Sequence, residues 1–406
     1  MKWHQRFFWL LLLFLPTQLG LHFWPDWAGV LGRRVDYLAP TVYLTDILAL
    51  FTVGIYSISN IQYPISKKKF LFFIPIVLFV VLNIAVSTNH FVAIYKWLKV
   101  LEFVALGWYI VKTKPKLSAI SFPLAAGVFY SSVLAIVQFF LQHSVGGPLW
   151  WLGERTFDVG TPGIARVSLC QWVSVSWTGC PELLRPYATF PHPNVLGGFL
   201  AAVLPFIVVS TCQRVSESVK KYFSITFFVG IIALGLTFSR SAILVGGIGI
   251  LFAFRNKFLS AFVVTSVLVF FIFNSQFSIL NSQDESVVVR QQLNVAAVKL
   301  WSASPLFGVG LGNFLVRLPE ALPTRTIYFL QPVHNIYLLL LAEVGVVGVV
   351  GVLWVVWGII RKQKNDYRLS LIAILLLGLL DHYPLTLQQG QLLLTVLAGM
   401  SLTFVH

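Results

Sequence analysis

The chain has 406 residues, 57% of them hydrophobic and 11% charged, with a formal net charge of +15. Soluble domains carry about a quarter charged residues, so this balance excludes a string of soluble domains and points to one membrane bundle. The basic residues are dispersed among short connections and form no recognisable nucleic-acid module, so the expected surroundings are a lipid bilayer and no nucleic acid.

A membrane crossing needs ~20 largely apolar residues, and helices satisfy their own backbone where lipid cannot. The apolar runs are also longer than the alternating ~10-residue strands of an outer-membrane barrel. The expected fold is therefore all-α, a polytopic membrane helical bundle of about twelve transmembrane helices. In chain order the spans fall at 7–24, 41–58, 70–88, 91–111, 119–142, 191–212, 222–239, 241–255, 258–275, 334–358, 367–383 and 387–404. The first run is read as a retained span, because His22, Phe23, Trp24 and Pro25 follow it in place of a small-residue cleavage site. The stretch 222–255 reads either as one long helix or as two spans broken at Ser239, Arg240 and Ser241. An arginine at mid-bilayer depth is costly, which favours the break.

Lysine and arginine set the direction. Lys2 and Arg6, then Lys67 to Lys69, Lys112, Lys114 and Lys116, then Arg214, Lys220 and Lys221, then Arg255 and Lys257, then Arg361, Lys362, Lys364 and Arg368 all fall on one side of twelve spans. That side is expected to be cytoplasmic, with both termini, and the protein to sit in the cytoplasmic (inner) membrane. Two long connections, ~143–190 and ~276–333, are then outer loops. Trp150, Trp151, Trp172, Trp177 and Trp301 thread them, and 287–301 reads as an amphipathic helix on Val288, Leu293, Ala296, Ala297 and Leu300. Cys170 and Cys180 share the first outer loop, where a disulfide and two free thiols both remain open, and Cys212 lies toward the inner face. No His/Cys/Asp cluster has zinc spacing, so no metal and no cofactor are expected.

The polar residues that break the apolar pattern gather at outer span ends. His334 and Asn335 open a span that contains Glu343, Gly345 and Gly348. An intramembrane carboxylate is a functional hypothesis by default; the plainer reading is a tightly packed helix with His334 as a polar cap at the interface. Glu343 lies two turns along, ~13 Å by helical rise, and is given a network role. His192 and Asn194 open another span, Thr237 to Ala242 form an outer turn around Arg240, and Ser304 to Phe314 end the helical part of the second outer loop. Lys96 and Lys99 begin the fourth span, where simple snorkelling is the competing account. Asp381 and His382 read as a capped turn ahead of Pro384 more readily than as site residues.

These segments together resemble the O-antigen ligase and O-antigen polymerase superfamily of bacterial polytopic membrane glycosyltransferases. Its ligases carry a His, then Asn, Ser or Gln, nine residues, and Gly-x-x-Gly followed by Thr or Val; here stand His334, Asn335, Gly345, Gly348 and Val349. The Ser239 to Ala242 turn, Arg290 ahead of the amphipathic helix, and Gly308 to Phe314 match as well. The resemblance covers ~190 to 360. It implies a fold related to the C-type glycosyltransferases, and it divides the chain into N-terminal helices with the first outer loop, 1–190, and a catalytic membrane region, 191–406.

The implied reaction moves a glycan from undecaprenyl diphosphate to an acceptor hydroxyl on the outer face of the membrane, such as a lipid A–core sugar. It is inverting and needs no metal. His334 would be the general base, and Arg290 and Arg240 would hold the diphosphate, since a guanidinium forks onto phosphate oxygens. For Arg240 the plainer account is a surface anchor. Lys96, Lys99, His192, Asn194, Asn335 and Asn313 are the expected substrate-binding residues. The acceptor could be glycan, lipid or protein, because ligases, chain polymerases and protein oligosaccharyltransferases share these motifs. A lipid-glycan flippase is the reading from another class; its cue, paired broken helices with internal repeats, is not visible in the sequence. A non-catalytic scaffold is disfavoured by four motifs converging on one face.

Overall fold

The computed structural model describes the chain apart from residues 61–66, 169–179, 212–215, 254–284, 323–329, 363–367 and 404–406. The helices are α1 Trp3–Leu13, α2 Leu44–Ile58, α3 Lys67–Ala85, α4 His90–Thr113, α5 Leu117–Leu141, α6 Pro193–Thr211, α7 Glu217–Leu236, α8 Arg240–Ala253, α9 Glu285–Ala303, α10 Phe314–Ala321, α11 Ile336–Lys362, α12 Arg368–Leu377, α13 Tyr383–Thr386 and α14 Gln388–Thr403. Six short strands pair antiparallel: β1 (Gly20–His22) with β4 (Thr41–Tyr43), β2 (Gly29–Val30) with β3 (Arg33–Arg34), and β5 (Arg166–Ser168) with β6 (Glu182–Leu184). The fold is a helical membrane bundle, and the small hairpins qualify the all-α expectation.

Four of the described helices, α5, α6, α7 and α11, are long and apolar enough to cross a membrane, with shorter apolar helices at Leu44–Ile58, Phe73–Ala85 and Arg240–Ala253. The described residues alone do not establish a count of about twelve spans. The shortfall has local causes. The run 7–24 stays helical only to Leu13, and Gly20–His22 turns into a strand against Thr41–Tyr43. Apolarity alone does not distinguish these outcomes. The run 367–383 divides into the short helices α12 and α13. The run 258–275 lies outside the described residues.

α6 is buried along almost its whole length, from Val195 to Val209. A helix apolar on all sides is one that other helices surround, and α5, α7, α8 and α12 pack around it. Small residues bring α6 and α8 together: a Cβ at Gly197 would press on Ala242 and Thr237, and one at Gly246 on Ala201. The core joins Phe8 and Leu11 to Val396 and Met400, so it draws on both ends of the chain. α3, α4 and α11 turn apolar side chains such as Phe73, Leu101 and Trp354 outward, as lipid-facing helices do.

The break between α7 and α8 is present. Phe238 has a positive φ of 49°, and Ser239 O accepts from Ile243 N at 2.9 Å to begin α8. A second break is inside α11, where Gly345 has φ 64° and ψ −172°. The segment 305–310 fills this gap. Val309 N donates to Ala342 O (2.8 Å), Gly310 N to Glu343 O (3.1 Å), Val346 N to Pro305 O (2.9 Å) and Val347 N to Leu306 O (3.2 Å). Backbone groups freed by a helix break need such partners wherever lipid surrounds them. Any side chain at Gly345 would overlap Leu306 and Gly308. The Gly-x-x-Gly motif therefore reads as a seat for the Gly-rich loop. A single helix is broken in this way among those described, which is not the paired arrangement a transporter calls for.

Candidate functional site

Three chain segments bring their polar residues to one place beside the starts of α6 and α11. In the first, Arg185 donates from Nε to the Thr237 carbonyl (2.7 Å) and from Nη2 to Asn194 Oδ1 (2.7 Å). It thereby ties the end of α7 to the start of α6. Burial pulls the Arg185 guanidinium down to about 10, with Tyr187 opposing and the charge of Arg240 adding to the fall. Arg240 thus stands beside Arg185. Asn194 N donates to His192 Nδ1 at 3.1 Å, which leaves the His192 proton on Nε2.

The second and third segments meet at His334. Its ring centroid lies 5.1 Å from that of His382, and ligand atoms of His334, Asp381 and His382 all lie within 4.8 Å of one another. Asp381 and His382 are buried. Asp381 Oδ1 accepts from His382 N at 2.7 Å. Burial pulls His334 down to about 4; Asp381 opposes this, and His382 and Arg290 reinforce it. Burial likewise lowers His382, against Asp381 and with Arg290. His192 falls to about 4 through burial and the Arg185 charge. Burial alone would raise the Asp381 carboxyl, but the three histidines and the His382 amide hold it below its ordinary value. The result at neutral pH is a carboxylate among neutral imidazoles, facing the guanidinium of Arg290. An uncharged imidazole can accept a proton, and a carboxylate beside it stabilises the cation that forms.

Beside this cluster lies an apolar groove of about 610 Å³ between α4, α11 and α14, lined by Tyr37, Lys96, Phe103, Leu339, Glu343 and Thr386 among others. Two of these residues also touch His382: the Tyr37 ring at 5.5 Å and Thr386 Oγ1 at 2.6 Å. The groove wall and the polar cluster are therefore continuous.

Residues 225–353 match the family model described as O-Antigen ligase. That stretch of the chain is an O-antigen ligase family domain. No curated protein matches it. Family and apolar helices together make it an integral membrane protein. The O-antigen ligase match takes in Arg240, Arg290 and His334 but ends before Asp381 and His382, which complete the cluster from outside it.

Of the residues expected from sequence, His334, Arg290 and His192 come together around Asp381, Asn194 is bonded to Arg185, and Arg240 is near enough for its charge to act on Arg185. Others are taken up by the fold of this O-antigen ligase relative. Lys99 is buried and bridges Asp46 (2.6 Å) and Glu102 (2.8 Å). Asn313 is fully buried; its Oδ1 accepts from Asn89 N (2.7 Å) and its Nδ2 donates to the carbonyls of Asn89 and Leu311. Asn335 caps α11, accepting from Tyr337 N (2.9 Å) and Leu338 N (3.1 Å), and so fixes the backbone beside His334. Lys96 lines the groove near Glu343 and Gly312, away from the histidines. Glu343 has the network role expected of it, accepting from Phe314 N at 3.3 Å. In the amphipathic helix Val289 is buried in place of Val288. Cys180 is disulfide-bonded, while Cys170 and Cys212 lie outside the described residues. Asp381, His382 and Arg185 are the site residues that sequence underrated. The only local signal was a Asp-His pair and a loop arginine among otherwise apolar residues.

Proposed function

We propose that the chain transfers a glycan from a lipid diphosphate, undecaprenyl diphosphate by family resemblance, to an acceptor hydroxyl at the outer face of the inner membrane, as an O-antigen ligase does. The observation that carries this reading is the continuity of an apolar groove with a histidine, carboxylate and arginine cluster at Tyr37 and Thr386. A lipid-linked donor has the same two parts, an apolar chain and an anionic head. Arg290, with Arg240 and Arg185, neutralises the diphosphate oxygens. His334 takes the acceptor proton as the hydroxyl oxygen attacks the anomeric carbon. The bond from that carbon to the diphosphate oxygen breaks, the lipid diphosphate leaves with its electron pair, and inversion follows from attack on the opposite face. Asp381 stabilises the imidazolium formed on His334.

The test is transfer of a lipid-diphosphate glycan by purified protein, with His334→Ala and Arg290→Ala compared. Loss of product in both is expected. Undiminished transfer by either variant, with the fold intact, would overturn the assignment. Movement of the lipid glycan across vesicles without a covalent product would favour a flippase.

A further inference from the structure

The Thr386 hydroxyl has one proton, and its oxygen lies 3.1 Å from the His382 carbonyl to which it donates. The same oxygen lies 2.6 Å from His382 Nδ1. When the hydroxyl proton goes to the carbonyl, His382 donates from Nδ1 and its Nε2 carries the lone pair. That bare nitrogen is 4.0 Å from Asp381 Oδ1, an acceptor. On the other side, His334 Nδ1 is buried with no hydrogen-bond partner. One potential ligand atom from each of His334, Asp381 and His382 thus lies within 4.8 Å of the others, and the Asp381 oxygen is met by the His382 backbone N–H. Buried lone pairs facing one another are costly without a cation among them.

We propose that His334, Asp381 and His382 bind a divalent transition-metal ion, Zn²⁺ in the first instance, as an inhibitory ligand. Two imidazoles and a carboxylate with an open fourth position form a zinc-type donor set, and small rotations of the two rings close them on the ion. Mg²⁺ and Ca²⁺ prefer oxygen cages and are poor competitors here. Thr386 supplies the outer contact that orients a ligating histidine. The Arg290 guanidinium faces the same cluster and opposes the ion, and the Asp381 carboxylate offsets that charge. The ion occupies the lone pair His334 needs to accept a proton, so inhibition rests on the proposed function, whereas binding does not.

The experiment is a titration of the purified full chain in detergent with Zn²⁺ by calorimetry and with Co²⁺ by its visible absorption. One ion per chain is expected. Asp381→Asn and His382→Ala should abolish binding, and Thr386→Val, which keeps every ligand, should weaken it about 10–100-fold. Thr386→Val gives the reading even where the ligand variants do not fold. Absent binding, or binding unchanged in folded Asp381→Asn, overturns the site. In the transfer assay, Zn²⁺ should stop product formation and a chelator restore it. Full transfer at saturating Zn²⁺ overturns the inhibitory role. A wild-type chain that binds Zn²⁺ but makes no product counts against the proposed function alone.

Discussion

Two groups of buried polar residues differ in how they are satisfied. Around Asp46, the Lys99 ammonium meets two carboxylates, Gln388 donates to Asp46 and to Thr45 (3.1 Å), and Tyr43 N donates to Asp46 Oδ2 (3.0 Å). These contacts join α2, α4 and α14, and what remains unpaired is one oxygen each on Glu102 and Gln388. Around His334, by contrast, no ammonium or guanidinium among the described residues is hydrogen-bonded to the carboxylate, ligand atoms of two imidazoles and Asp381 lie within 4.8 Å of one another, and His334 Nδ1 has no partner. A cluster that satisfies itself holds helices together. A cluster of imidazoles and a carboxylate beside a guanidinium is shaped for something that arrives.

That contrast can be broken by substitution. His334→Ala should lower transfer by about 10²–10⁴-fold, the usual contribution of a positioned general base, while the melting temperature in detergent stays near wild type. Lys99→Met should do the reverse. It strands two buried carboxylates and should cost about 3–5 kcal/mol of stability, read as a lowered thermal midpoint, with turnover retained by the molecules that remain folded. Arg290→Ala should reduce turnover about 10²–10³-fold, as losing one preorganised donor to a developing charge does, and Arg290→Lys should recover part of it because the charge returns without the fork. Gly345→Ala should cost roughly 1–3 kcal/mol through a forced positive φ, more if the 305–310 segment cannot shift.

The smallest effect should be that of pH on the base. Burial lowers His334 from 6.5 to about 4, so it is neutral at pH 7, and transfer should hold as pH falls and drop only with an apparent pKa near 4. The sign for stability is the same. The unfolded chain takes up protons near the ordinary histidine value while the folded chain does not, so stability falls as pH drops from about 6.5 toward 4. A transfer profile that titrates at the ordinary histidine value would show that His334 is not buried as described.

The fold was largely legible because hydropathy reports helices directly. Spans such as 119–142 and 191–212 stand as α5 and α6 within a few residues. Hydropathy could not report that Gly20–His22 pairs with the strand Thr41–Tyr43. The motif singled out His334 and Arg290, and the structure brings them near one another. Lys99 pairs with Asp46, 53 residues away, and a lysine looks free in sequence until that partner is found. Asn313 and Asn335 misled for another reason: an asparagine at a helix start is equally a cap and a ligand, and only geometry separates the two. Asp381 and His382 look like an ordinary turn in sequence. Their meaning depends on which helix start lies opposite.

The strand-like seam between residues 305–310 and the broken middle of α11 also has a mechanical consequence. α9 carries Arg290 and leads into that seam, and His334 sits at the head of the helix on its other side. Arg290 and His334 therefore stand on elements that four backbone hydrogen bonds tie together. A large change in the spacing of these two residues would be expected to strain or unzip that seam.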